Sequence, residues 1–218
     1  MGIPVLIMGK SGSGKSTSLR TFGENEILLI NVSRKPLPFK NKFNAVMDTD
    51  DYNKIARAMK KLDCDTPAYK TVVIDDAGYL ITNMFMKGHS AKGVGKAIFD
   101  FYNDIADRFW HMIDYIYTLP ENIIVYIVMH EEYGDNGEYK PKTIGKILDE
   151  KVCLEGMFTI VLRCITQDGN HYFKTRTDGT DVSKSPPDMF EGELIENDLK
   201  AVDTAIRNYY ELGGNTNE

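Results

Sequence analysis

The sequence predicts an α/β fold, with a mainly parallel central sheet flanked by helices and finished by C-terminal antiparallel strands. Three observations carry this. Short, mostly apolar runs at 3–8, 26–32, 71–74 and 122–129 have the texture of strands buried on both faces. Between them lie segments whose apolar residues recur at three- and four-residue spacing, the mark of amphipathic helices. Beyond residue 150, two further runs flank Asp168-Gly169-Asn170, a sequence suited to a hairpin turn.

Each element follows from its own residues. Run 3–8 stops at Gly9, and residues 15–22 read as a helix opening on the intervening loop. Run 26–32 precedes Pro36 and Pro38, which forbid regular structure there. Residues 51–62 place Ile55, Ala58, Met59 and Leu62 on one helical face. Residues 96–117 carry the longest helical pattern, from Ile98 through Phe101, Ile105, Phe109 and Met112 to Ile116, with Pro120 beyond its end. Strands at 158–165 and 172–177 form the hairpin, Pro186-Pro187 breaks the chain, and 197–211 is a last helix. Residues 1–218 read as one domain, with a core over 1–150 and a hairpin and helix over 151–212.

Composition narrows the function classes. Apolar content of 42% with 11% aromatics supports a sizeable core and excludes a disordered chain. A net charge of −6 argues against coating nucleic acid by bulk electrostatics, while leaving room for local basic loops. The three cysteines, Cys64, Cys153 and Cys164, make no CxxC pair, so neither a disulfide framework nor a structural zinc is expected. Run 3–8 is too short for a signal peptide or a membrane span. A soluble cytoplasmic protein with no membrane partner is the expectation.

The chemistry starts in the loop after the first strand, Gly9-Lys10-Ser11-Gly12-Ser13-Gly14-Lys15-Ser16-Thr17. A triphosphate needs many inward N–H donors in a small space, and Gly9, Gly12 and Gly14 leave that space open. The helix near Lys15 adds its positive end. In this GxxxxGK[ST] pattern Lys15 reaches the β- and γ-phosphates and the Ser16 hydroxyl ligates Mg²⁺. Val72-Val73-Ile74-Asp75-Asp76 then places a carboxylate at the end of a buried strand, where Asp75 holds Mg²⁺ directly or through water. Asp76 either orients the attacking water or caps the following helix. His130, immediately after run 122–129, either senses the γ-phosphate or is a surface histidine at a strand exit, and Glu131 is a reserve candidate for the base.

With these three elements placed, the chain resembles phage-encoded P-loop ATPases of the RecA-core kind, which include the Sak-type single-strand annealing ATPases. The matching residues are GKSGSGKST at 9–17, VVIDD at 72–76 and IIVYIVMH at 123–130. The tail is similar too, through MFTIVLRC at 157–164, YFKTRTDGTDVSKSP at 172–186 and MFEGELIENDLKAVD at 189–203. The resemblance implies ATP and Mg²⁺ as cofactors, hydrolysis coupled to homo-oligomerisation, and single-stranded DNA as partner. A phage annealing or single-strand-binding protein is a further implied partner, and the host cytoplasm the implied location. It also suggests that Lys174 and Arg176, two apart on one strand, reach a neighbouring subunit's γ-phosphate as a finger. The alternative is an ordinary basic face on an edge strand. One departure stands out: the end of the second strand, Leu29-Ile30-Asn31-Val32-Ser33-Arg34, lacks the catalytic glutamate common in that superfamily.

Two segments are candidate DNA contacts, or else solvated loops. One is glycine-rich and carries Lys87, Lys92 and Lys96; the other, 134–146, carries Lys140, Lys142 and Lys146 beside Tyr139. Two other classes remain open. A nucleotide kinase shares the loop, but the arginines here are scattered rather than clustered in a lid. A nucleotide-gated interaction protein with little turnover is kept open by the missing glutamate. A GTPase is disfavoured, because neither Asn41-Lys42-Phe43-Asn44 nor Asn53-Lys54-Ile55-Ala56 supplies an Asn-Lys-x-Asp motif.

Overall fold

β1 (Ile3–Gly9) runs up the middle of the sheet, buried at every position after Ile3. The structure, a computed structural model, describes residues 1–40, 42–93, 95–144 and 152–212. On one side of β1 lies β5 (Ile124–Tyr133), then β4 (Thr71–Asp75), β2 (Ile27–Asn31) and the short β3 (Val46–Asp48), all parallel. On the other side β7 (Ile160–Gln167) is parallel to β1, and β8 (Asn170–Lys174) and β9 (Leu194–Glu196) follow antiparallel. β6 (Tyr139–Pro141) pairs antiparallel with the far end of β5. The expected fold class is therefore present: a mainly parallel sheet with an antiparallel C-terminal margin.

The period of two along each strand divides the core. Leu6, Met8, Ile74 and Ile127 face α1 (Tyr52–Lys60), α2 (Gly78–Lys92) and α3 (Lys96–Ile116). Val5, Ile7, Val73 and Val128 face α4 (Leu199–Tyr209) and Leu19. Burial on both faces explains why the strands read as mostly apolar runs rather than alternating ones. α4 is pinned at the other end of the sheet: buried Asp203 accepts from Thr71 at 3.0 Å, Tyr126 at 3.1 Å and Arg207 at 2.6 Å. Asp51 and Asp198 cap α1 and α4 by accepting backbone N–H groups.

Four expectations are corrected. The segment after the phosphate loop is a six-residue 3-10 helix, Ser16–Thr21, rather than an α-helix. Its run of Ser and Thr favours local side-chain bonding, and the Ser18 hydroxyl donates to the Lys15 carbonyl at 2.6 Å. The segment read as a basic loop is mostly helical: Lys87 and Lys92 lie on α2 and Lys96 opens α3. Gly88 hid that helix in the sequence; it lets Phe101 of α3 pack close, since a Cβ there would stand 2.3 Å from the ring. β5 continues to Tyr133 because β6 extends its pairing, so His130 and Glu131 are inside the strand. β8 ends at Lys174, which leaves Arg176 beyond it, in a bend. The hairpin turn is at Asp168-Gly169, with φ of 51° and 79°, the pair of left-handed residues a two-residue turn requires.

Candidate nucleotide site

The site gathers where β1 and β4 end beside β5, which runs on past them to Tyr133. Gly9 pairs with His130 across β1 and β5, and Asn31 pairs with Asp75 across β2 and β4. Gly12 and Gly14 have φ of 78° and 98°, a turn that ordinary side chains resist. At Gly9 the demand is space: a Cβ would stand 2.5 Å from the Cys164 carbonyl oxygen. The 3-10 helix is so short that an anion placed here would be met by loop N–H groups and Lys15 rather than by a helix dipole.

Lys15 is 6% exposed and folds back over the loop, donating to the Gly9 carbonyl at 2.8 Å and the Lys10 carbonyl at 2.7 Å. Burial lowers its pKa, against the pull of Cys164 and the carboxylates of Asp76, Asp75 and Glu131. The Ser16 hydroxyl donates to Asp75 Oδ1 at 3.1 Å. Asp75 is buried, and this burial, with the charge of Asp76 beside it, pushes its pKa up to about 6. A hydroxyl and a carboxylate oxygen at this spacing are hard donors that fit Mg²⁺, whose octahedral shell is usually completed by phosphates and water. Among the described residues there is no cluster of three or more His, Cys, Asp or Glu placed to hold a metal by themselves.

Asp76 adopts the left-handed region, φ 56°, as the chain leaves β4. Its side chain does not cap α2, whose N-cap is Ala77 without a side-chain bond. Instead it meets His130 Nε2 at 3.5 Å and the Ser33 hydroxyl. Burial opposes its charge, but the hydrogen bonds from His130 and Ser33 and the charges of His130 and Lys35 outweigh it and lower its pKa. His130 also stands edge-on to Tyr79, with centroids 6.1 Å apart. A cavity of about 480 Å³ opens here, lined by Ser11, Lys35, Tyr79, His130, Glu131 and Lys142 among others.

Glu131 is not poised as a base. Both its oxygens accept from Arg163, at 2.7 and 2.9 Å, and its side chain is 2% exposed. The chain of charge continues: Arg163 donates to Asp181 at 3.3 Å, Asp181 accepts from Lys174 at 2.9 Å, and Lys174 meets Asp178 at 2.7 Å. Lys174 is therefore turned inward, while Arg176 is exposed, so the two do not share a strand face.

The basic candidates separate. Lys87 is bound to Asp50, which also pairs with Arg34 at 2.7 Å, and Lys92 lies over the Phe101 ring at 5.4 Å. Lys140 is on β6, 4.0 Å from Glu132, and the Lys142 backbone N–H donates to the His130 carbonyl at 2.8 Å. Lys146 lies outside the described residues. β6 touches the phosphate loop directly: Lys10 Nζ is 3.4 Å from the Tyr139 hydroxyl, and Arg163 covers the Tyr139 ring at 3.8 Å.

Sequence reasoning missed Ser33, Lys35, Arg163 and Asn197. Only Arg163 left a signal, as a lone charge in the apolar run at 157–164, where a buried partner is obligatory. The others are made relevant by contacts between distant segments.

The AAA domain family model matches residues 1–186. The chain belongs to the AAA domain family. No curated protein matches it. Among solved structures it is similar to the Legionella pneumophila ATPase DotB, at 12% identity and a TM-score of 0.36. That match covers 98% of this chain and 53% of DotB, so the chain spans about half the length of that neighbour. The match spans the glycine loop at 9–17 and the end of β4 at Asp75. No helix among the described residues of this AAA domain is long and apolar enough to cross a membrane.

Proposed function

We propose that the protein is a Mg²⁺-dependent ATPase that works as a homo-oligomer on single-stranded DNA, in phage recombination or replication. The observation that supports this best is the Ser16–Asp75 contact at 3.1 Å, with Lys15 buried beside it and Asp76, just past the end of β4, against His130 of β5. Lys15 and the loop N–H groups would bind the phosphates, and Ser16 and Asp75 would hold Mg²⁺, which when bound would supply neutralisation of phosphate charge. Asp76, kept ionised and oriented by His130 and Ser33, takes the proton of the attacking water. The γ-phosphate displaces Lys15 from the Gly9 and Lys10 carbonyls. Lys10 then shifts against Tyr139 and passes the state of the site to β6 with Lys140. Arg176 remains the exposed member of the finger candidate, reaching a neighbouring subunit.

The test is ATP turnover with and without single-stranded DNA, for wild type, Lys15→Ala and Asp76→Asn. DNA-stimulated turnover, abolished in Lys15→Ala and reduced about 100-fold or more in Asp76→Asn, is expected. Phosphate transferred to a nucleotide acceptor would point to a kinase instead. One observation favours a second reading, a nucleotide-gated interaction protein: Glu131 is locked by Arg163 and no acid ends β2. Tight ATP binding without turnover under any condition selects it.

A further inference from the structure

The phosphate loop has a cavity at each end. At its Ser11 end is the one that holds His130 and Glu131. At its Thr17 end is another, of about 360 Å³, lined by Thr17, Arg20, Asn170, His171, Tyr172 and Asn197 among others. We propose that this second cavity, between the Thr17 end of the loop and the β7–β8 hairpin, takes the purine nucleoside of the bound triphosphate. The proposal rests on the phosphate-loop reading above.

The direction of the nucleotide follows from the groups at each end. Asp75, Asp76 and His130 gather the charge-handling chemistry toward the Ser11 end, so the γ-phosphate would lie there and the α-phosphate toward Thr17, past the Ser16 hydroxyl that meets Asp75. One ester and one ribose then separate the α-phosphate from the base, so the base must settle close to Thr17. The cavity there has a size within the range of about 300–1,000 Å³ typical of small-ligand sites.

Its walls carry the right chemistry. His171 is a flat ring fixed on two sides. A Cβ on Gly14 would stand 2.8 Å from that ring, and Thr166 holds Nδ1 at 3.1 Å. Tyr172 and Arg20 add a second ring and a planar cation, both able to stack on a base. Asn197 is 4% exposed; its amide nitrogen donates to Cys164 Sγ at 3.1 Å, and its Oδ1 has no partner among the described residues. Arg20 steadies that residue by donating to the Asn197 carbonyl at 2.6 Å. Asn170, exposed at the turn, offers both a donor and an acceptor to an edge of the base. The hairpin thus serves as the nucleoside wall, as well as the sheet's antiparallel margin.

Calorimetric titration with ATP, GTP and inorganic tripolyphosphate in Mg²⁺ buffer tests this on wild type, His171→Ala, Asn170→Ala and Lys15→Ala. ATP affinity is expected to fall about tenfold in His171→Ala and several-fold in Asn170→Ala, with tripolyphosphate binding unchanged in both. The ATP and GTP arms report which purine the edge groups prefer. The assignment is overturned if ATP and tripolyphosphate weaken together in the hairpin variants, or if neither changes. Wild type that binds no tripolyphosphate, or Lys15→Ala that binds it normally, overturns the phosphate-loop reading itself and is recognisable as such.

Discussion

Gly14 is caught between two demands. Its φ of 98° suits the loop, and the missing side chain lets the His171 ring lie against the backbone. Gly14→Ala breaks both, so it should destabilise the protein by about 1–3 kcal/mol, read as a lower midpoint in chemical unfolding. Gly12→Ala is the matching control, since it has the same backbone demand but nothing within 4 Å of its Cβ position. A larger loss at Gly14 than at Gly12 shows that contact with the hairpin, and not backbone strain alone, sets the cost. At this scale the sequence disclosed that the loop and Asp75 lie together, because a glycine-rich turn and a strand-end acid are local patterns. It could not disclose that Asp76 meets Ser33 or that Glu131 meets Arg163, because those pairs join segments more than 30 residues apart.

Elements decide which charges are available. β5 extends past the sheet body to carry Glu131 against Arg163 of β7, two strands away across β1. Both side chains are largely buried, at 2% and 12% exposure, so removing one partner strands the other. Arg163→Met alone should cost about 3–5 kcal/mol, and Glu131→Gln added to it should recover most of that. Urea unfolding of the two singles and the double measures the coupling, and additive losses would remove the pair from the account of the fold. The strands themselves were legible because burial on both faces writes a mostly apolar run. α2 was not, because Gly88 looks like a breaker until Phe101 of α3 is set against it. Helix-helix proximity is a tertiary fact.

Across the whole molecule, the sheet order overrides the apparent division of the chain at residue 150. β7 is not an appendage to the core; it forms one side of β1, pairing Val5 with Ile160 through Gly9 with Cys164. A chain cut at residue 150 leaves β1 with an open edge and removes α4, whose Val202 and Ile206 cover one face of the sheet. Such a fragment should show no cooperative thermal unfolding by circular dichroism, whereas the full chain shows a single transition. A sharp transition in the fragment would mean that 1–150 folds by itself.

The placement of β1 also sets a schedule. The loop that follows it is made well before either of the strands that flank β1, which lie far along the chain at Ile124–Tyr133 and Ile160–Gln167. With translation at about 5–20 residues per second, the glycine loop spends several seconds outside the ribosome before β7 arrives to flank it. On the function proposed above, a nascent chain therefore gains a flanked phosphate loop only once β7 has been made.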